Sequence, residues 1–143
     1  MRQLKTWRMI PFLAFTALFL IGCGKGEQFP EETPRCTVYY LNSIGNQLVG
    51  SEYKTVETER EGLVQELLTK MTSVPAELDC QSAIPERIET ITFRIEENVL
   101  YLYADANYSR MNSVQEIFCR AALTKTLTQI EGIDYLSIYC AEQ

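Results

Sequence analysis

The alternation of apolar and polar positions after residue 35 predicts a domain that contains several β-strands. Ile91, Phe93 and Ile95 alternate with polar residues, and after a polar turn Leu100, Leu102 and Ala104 alternate with Val99, Tyr101 and Tyr103. This two-residue period is that of a strand with one buried face, and two such runs joined by a short turn predict a hairpin. Segments rich in β-branched and aromatic residues extend the set of predicted strands to 36–41, 47–56, 91–95, 99–104 and 135–140.

Two further segments repeat apolar residues at helical spacing. The first follows Thr58–Glu61, which matches a capping box, and is expected to end before Pro75. The second follows Ser113–Glu116, another capping-box match, and is expected to run to about Ile130. The apolar positions of this second helix are Val114, Ile117, Phe118, Cys119, Ala122, Leu123, Leu127 and Ile130.

The predicted order of elements is β-β-α-β-β-α-β. Two helices suffice to cover one face of a small sheet. The sequence therefore predicts an α+β fold, a small two-layer domain in which a mixed β-sheet of about 4–5 strands carries two helices on one face.

The first 22 residues have the three parts of a secretory signal. Basic residues at positions 2, 5 and 8 lead into 13 uncharged, mostly apolar residues from Met9 to Ile21. This run is shorter than the roughly 20 residues that a membrane-spanning helix needs. The run ends in Leu20–Cys23, which resembles the lipobox of bacterial lipoproteins.

The lipobox resemblance implies that Cys23 is the point of lipid attachment. The first 22 residues would be removed, and the Cys23 thiol would carry a diacylglycerol as a thioether, because the thiolate is the nucleophilic form of cysteine. The expected organisation is a signal peptide (1–22), the lipidated cysteine with a flexible linker (23–35) and a domain (36–143), held on the extracytoplasmic face of the cell membrane. An uncleaved signal anchor with an incidental cysteine is the alternative.

The charge of the chain excludes a class of partners. The whole sequence carries a net charge of −6. Removal of residues 1–22 takes away three of the 13 basic residues and none of the 19 acidic ones, which leaves a net charge of −9. Because nucleic-acid binding depends on Lys and Arg that neutralise phosphates, no nucleic-acid partner is predicted.

Several segments together resemble the GerMN domain, a module named for sporulation and spore germination proteins. They are Val38–Leu41, Leu67–Leu68, Ser82–Pro85, Ala122–Ile130, Gly132–Ile133 and Leu136–Ile138. The resemblance covers about residues 36–141, and its most specific part is the Thr-Leu-Thr-Gln segment, 126–129, joined to the last strand. It implies a non-catalytic role in protein interaction or assembly, in sporulation, germination or cell-envelope complexes of Gram-positive and other bacteria.

The inventory of reactive residues points away from catalysis. The chain has no histidine, which excludes nucleophiles activated by histidine and most catalytic zinc sites. Ser51–Lys54 matches the S-x-x-K pattern of penicillin-interacting enzymes, but the companion S-D-N and K-T-G motifs are missing. We therefore predict that the protein is not an enzyme, with no catalytic, metal-binding or cofactor-binding residue.

Four cysteines follow Cys23 and leave two interpretations open. They are Cys36, Cys80, Cys119 and Cys140. An oxidising exterior would permit one or two disulfides, and four cysteines allow three pairings. Buried free thiols are the alternative.

Tyrosines on the predicted strands mark a candidate interaction surface. If Leu100, Leu102, Leu136 and Ile138 face the helices, then Tyr101, Tyr103, Tyr135 and Tyr139 share the opposite face of the sheet. Tyrosine is favoured at interfaces because it joins a large apolar ring to a polar tip. The hypothesis is that this face, or a free edge of the sheet, binds a protein partner or another copy of the chain. The alternative is that tyrosine is a good strand former on a half-solvated sheet. A small-ligand or peptidoglycan-binding module is the alternative, and it would need a concave site with convergent polar groups.

Overall fold

The computed structural model describes residues 34–76 and 78–140. In chain order the elements are β1 (Arg35–Asn42), β2 (Leu48–Lys54), α1 (Arg60–Thr72), β3 (Cys80–Gln81), β4 (Ile91–Glu96), β5 (Val99–Ala104), a 3₁₀ turn (Tyr108–Arg110), α2 (Ser113–Leu127) and β6 (Tyr135–Cys140). The α+β class and the predicted order are confirmed, with β3 added. Two residues are too few to produce a period in the sequence, so β3 was not predicted. The predicted signal peptide (1–22) and the predicted lipid-attachment residue, Cys23, lie outside the described residues.

The strands form two three-stranded sheets, so there are six strands where a single sheet of about 4–5 was predicted. The first sheet has the order β2-β1-β3 and is antiparallel. The second has the order β4-β5-β6, in which β4 and β5 form the predicted hairpin and β6 lies parallel to β5. β1 pairs with β3 only at Leu41 and Asn42, because the side chains of Thr126 in α2 and Gln129 just after it occupy the earlier part of that edge.

The core lies between the two helices and the sheets. Both helices pack against β1, and α2 also packs against β6. Leu100 and Leu102 on β5, the central strand of the second sheet, are completely buried. Removal of each such side chain from water stabilises the fold by roughly 1.5–3 kcal/mol. The largest fully buried side chains on the helices are Leu67, Met71, Leu123 and Leu127.

Both helices begin differently from the prediction. The N-cap of α1 is Glu59, which makes no side-chain capping bond, so the predicted Thr58 capping box is wrong. Instead, Oε1 of Glu57 accepts hydrogen bonds from the backbone N–H groups of Thr58 and Glu59. A capping box does open α2, but it is formed by Asn112 and Gln115, one residue earlier than Ser113–Glu116.

Candidate functional site

The four tyrosines predicted to form an interaction surface lie on the outer side of the second sheet, and we call them the tyrosine face. Tyr101 and Tyr103 alternate along β5 with the buried leucines of the core. In the parallel register Tyr103 pairs with Tyr139, and Tyr135 pairs with Val99. The two-residue period of both strands therefore brings all four side chains to one face.

Three of the four rings, those of Tyr101, Tyr103 and Tyr139, form a cluster in which Tyr139 contacts the other two. The ring centroid of Tyr139 lies 5.6 Å from that of Tyr103 and 6.2 Å from that of Tyr101. Within the described residues, Tyr135 stacks on none of the other three rings. Tyr103, Tyr139 and Tyr135 remain 36%, 50% and 64% exposed. The surface is aromatic and accessible to solvent, each ring carries a polar hydroxyl group, and this chemistry suits recognition rather than catalysis.

A basic residue from β4 completes this surface. The guanidinium of Arg94 lies 5.3 Å from the ring centroid of Tyr101, within the range of a cation–π contact. Arg94 also forms a 2.8 Å ion pair with Glu96. Both side chains are about half exposed, so the pair contributes little to stability. It does place one charge of each sign beside the rings.

A carboxylate holds the second sheet at the far end of the hairpin. Oδ2 of Asp105 accepts hydrogen bonds from the backbone N–H groups of Glu89 and Thr90, and Oδ1 accepts one from Asn107. Desolvation of the Asp105 carboxyl raises its pKa, but these hydrogen bonds outweigh it, and the net effect is a lowered pKa. The segments that enter β4 and leave β5 are thereby held together.

The structure also contains an open groove of about 610 Å³, which is the concave site that the ligand-binding alternative requires. Its lining includes Gln81, Ser82, Glu86 and Glu89. The Ser82 hydroxyl already donates to carbonyl oxygens of Met71 and Ile84, and the Gln81 amide donates to two carbonyl oxygens of the β1–β2 turn. The polar groups of Gln81 and Ser82 are therefore engaged by the fold itself, and Glu86 and Glu89 are exposed.

The described cysteines fit the free-thiol interpretation for three of the four positions. Cys36, Cys80 and Cys119 form no disulfide. The Cys119 side chain is completely buried, and desolvation raises the pKa of its thiol to about 12. The Cys140 thiol donates to the carbonyl oxygen of Asp105 at 3.3 Å. Cys119 is therefore a core residue rather than a reactive one.

Two polar side chains near the end of α2 perform a task that the sequence did not reveal. The Gln129 side-chain amide accepts from the backbone N–H of Thr37 at 2.9 Å and donates to the carbonyl oxygen of the same residue at 2.7 Å. Thr126 Oγ1, completely buried, accepts from the backbone N–H of Tyr39 at 3.1 Å. Together the two side chains form hydrogen bonds with the backbone groups of Thr37 and Tyr39 at the β1 edge, as a neighbouring strand would. The only sequence signal was two polar residues beside Leu127 and Ile130.

A carboxylate also joins the first sheet to α1. Oε1 of Glu66 accepts from the Tyr53 hydroxyl at 2.5 Å, and its Oε2 accepts from the buried Thr55 hydroxyl. These hydrogen bonds, Thr55 first, lower the pKa of Glu66. The same contact raises the pKa of Tyr53 to about 12. Since the Glu66 carboxylate is engaged by Tyr53 and by the buried Thr55, the arrangement is structural.

The apolar surface of α2 is wider than the face that packs on the core. Val114 and Ile117 were expected to be apolar positions of this helix, and they are 59% and 64% exposed. They precede the buried stretch that starts at Cys119. Helical period alone does not distinguish an apolar residue that faces the core from one that faces solvent.

No group of three or more cysteine, aspartate and glutamate side chains within residues 34–76 and 78–140 has an arrangement that would hold a metal ion. Neither α1 nor α2, the helices of that region, is long and apolar enough to cross a bilayer.

Comparison with solved structures places this fold among known domains. The chain is similar to the first GerMN domain of the sporulation protein GerM from Bacillus subtilis, with a TM-score of 0.61, 15% identity, and coverage of 78% of this chain and 85% of that one. It is also similar to the tandem GerMN domains of the same protein, with a TM-score of 0.59, 16% identity, and coverage of 76% of this chain and 39% of that one.

A third similar structure is a Clostridium perfringens protein described as a candidate lipoprotein, with a TM-score of 0.50, 16% identity, and coverage of 77% of this chain and 76% of that one. A comparison with curated proteins finds no significant match. The family model named Germane and described as "Sporulation and spore germination" matches residues 37–141. The chain therefore belongs to the Germane family of sporulation and spore germination domains.

Proposed function

We propose that this protein is a lipid-anchored envelope protein whose GerMN domain binds a protein partner through the tyrosine face. Its role is assembly, in sporulation, germination or cell-envelope complexes, and it is not catalytic. The observation that carries the proposal is the stacked cluster of Tyr101, Tyr103 and Tyr139 on a sheet face whose other side is the core. Aromatic anchors of this kind supply much of the binding energy of protein interfaces.

The non-catalytic part of the proposal is supported by the chemistry of the chain. The sequence contains no histidine. The carboxylates of Glu66 and Asp105 accept hydrogen bonds from other groups of the domain, and these bonds hold the fold together. The solved structures to which the chain is similar are described as a sporulation protein and a candidate lipoprotein.

The tyrosine face is tested by capture of the partner from intact cells. The full-length chain is cross-linked in place, and its captured proteins are compared with those of a double variant, Tyr103→Ser with Tyr139→Ser. The control is Ile44→Ser with Val56→Ser, which removes two apolar side chains that are 80% and 90% exposed outside this face. We expect at least a tenfold loss of the captured partner for the tyrosine variant and none for the control. Equal capture by both variants would refute the role of this face.

The lipid anchor at Cys23 is tested separately. A single acyl chain gives only marginal membrane binding, whereas a diacylglycerol supplies two chains and a stable anchor. We expect mass spectrometry of the native protein to show a diacylglyceryl adduct on Cys23, now the N-terminal residue. Cys23→Ser should release the protein from the membrane fraction, while Cys80→Ser should leave it there. A bare Cys23 with residues 1–22 still attached would refute the anchor.

A further inference from the structure

The sheet edges of the domain are protected unequally. Edge strands normally carry charges, proline or a covering element, because an open row of backbone groups invites pairing with another chain. The edge strand β2 carries Glu52 and Lys54, and β4 carries Arg94 and Glu96. β3 has only two residues. β6, by contrast, runs for six residues, Tyr135–Cys140, without a charge, a proline or a glycine.

The unpaired edges of β1 and β6 differ in how their backbone groups are covered. The part of the β1 edge that no strand pairs is closed by Thr126 and Gln129. No strand within residues 34–76 and 78–140 lies beyond β6. The domain therefore closes an edge by hydrogen bonding at one place and leaves an uncharged edge at another.

The core side of β6 is also incompletely covered. Its residues Leu136 and Ile138 pair with Leu100 and Leu102 of β5, which are completely buried. Leu136 and Ile138 themselves are only partly buried. An additional strand beside β6 would remove this apolar area from water, which favours its addition.

We propose that β6 pairs antiparallel with β6 of a second copy of the chain, with Ser137 on the two-fold axis. In this register Tyr135 lies opposite Tyr139 of the second copy, and Leu136 lies opposite its Ile138. The strand is thus complementary to itself, as a two-fold symmetric interface requires. The cross-strand pairs are aromatic on the outer face and aliphatic on the inner face, and both kinds are stabilising.

Charge favours this edge as the place where two copies meet. The whole chain has a net charge of −6, so most surfaces of two copies repel each other. The pairs formed from Tyr135 to Tyr139 contain no charged residue. Asp134, the nearest carboxylate, accepts a hydrogen bond from the Asn98 side chain of its own chain at 2.8 Å. The paired sheets would form one six-stranded sheet with the tyrosine faces of both copies side by side, so the inference rests on and extends the proposed function.

Disulfide trapping in the membranes of expressing cells tests the register directly. Directly opposed residues on antiparallel strands have Cβ atoms about 4.5–5.5 Å apart, close enough for a disulfide after small adjustments. In the full-length chain, Ser137→Cys should give a dimer on a non-reducing gel after oxidation. The matched control is Thr92→Cys, an exposed residue on the same face at the opposite edge of the sheet. The wild-type chain shows the background from its own cysteines.

A charge exchange tests the same contact without oxidation. Ser137→Glu and Ser137→Lys each place like charges opposite each other on the axis, and each should be monomeric by analytical ultracentrifugation. An equal mixture of the two variants should restore the dimer. Failure of Ser137→Cys to form a dimer above the Thr92→Cys level would overturn the proposal, as would a dimer that persists in Ser137→Glu. Partner capture plays no part in either readout, so failure here is distinct from failure of the proposed function.

Discussion

Replacement of Gln129 by methionine should destabilise the domain because it opens the edge of β1. Methionine is close in volume and shape to glutamine, so packing is little changed. The substitution removes the two hydrogen bonds that the side-chain amide forms with the backbone of Thr37, at 2.9 and 2.7 Å. It also removes the bonds from the amide to the carbonyl oxygens of Lys125 and Thr126.

The expected loss follows from the two hydrogen bonds that close the β1 edge. Each of these bonds to Thr37 contributes roughly 1 kcal/mol net. The free energy of unfolding should therefore fall by about 2 kcal/mol. For a domain of about 100 residues this corresponds to a decrease of roughly 8 °C in Tm.

The assay is urea unfolding of the full-length chain, followed by circular dichroism. Gln65→Met on α1 is the matched control, because Gln65 is exposed and its side chain makes no hydrogen bond within the described residues. Its effect should stay within about 0.5 kcal/mol. If Gln129→Met were as stable as Gln65→Met, the idea that Gln129 replaces a strand would be wrong.

Three further predictions concern other groups of the domain. Because the pKa of Glu66 is lowered below its ordinary value of 4.5, the ionised carboxylate stabilises the fold above that pH, and this stabilisation is lost as the pH falls through the lowered pKa. Glu66→Gln should therefore be less stable than wild type at pH 7, and the difference should shrink below pH 4.5 in urea titrations at several pH values; a constant difference would contradict the assignment. The Cys119 thiol is buried and its pKa is raised to about 12, so it should resist maleimide labelling at pH 8 until denaturant is added. The partly exposed Cys80 should react in the native protein. Mass spectrometry of peptides would show both results. Asn112→Ala should lower the free energy of unfolding by about 1 kcal/mol because it removes an N-cap, while Thr58→Ala should change it by less than about 0.5 kcal/mol; the reverse order would favour the Thr58 capping box.

The strands of the second sheet were predictable because each has one face toward the core and one toward solvent. In such strands apolar residues recur at every second position. The β4–β5 hairpin and the bounds of β6 were predicted correctly from this period. The placement of Tyr101 and Tyr103 opposite the buried leucines follows from the same period. The contacts of the Tyr101 and Tyr103 rings with Tyr139 do not follow from this period, because they depend on the register between β5 and β6.

The helix starts were less predictable because several candidate caps stand close together. Asn112 and Ser113 both precede the apolar run of α2, and each has a partner of the right type three residues later. The structure uses Asn112 with Gln115. Val114 and Ile117 were misleading for a related reason, because tertiary packing rather than spacing decides which side of the first turns meets the core.

The division into two sheets could not be derived from local pattern at all. The β1 edge of the first sheet is occupied by Gln129, which looks like an ordinary polar residue at a helix end and contacts Thr37, 92 positions earlier. No motif connects residues so far apart in one sequence. The GerMN resemblance pointed to this segment as the most specific one, and the structure supplies a physical reason for its polar residues.

The long separation between these contacts has a consequence for the order of folding. A chain that leaves the ribosome or crosses a membrane from its N-terminus presents β1 first, but Thr126 and Gln129 follow 87 and 92 residues after the groups they bind. Contacts between distant residues slow folding because the loop between them must be closed first. The first strand to emerge therefore has an open edge until nearly the whole domain has followed, and chaperones or the emerging chain itself must protect it during that interval.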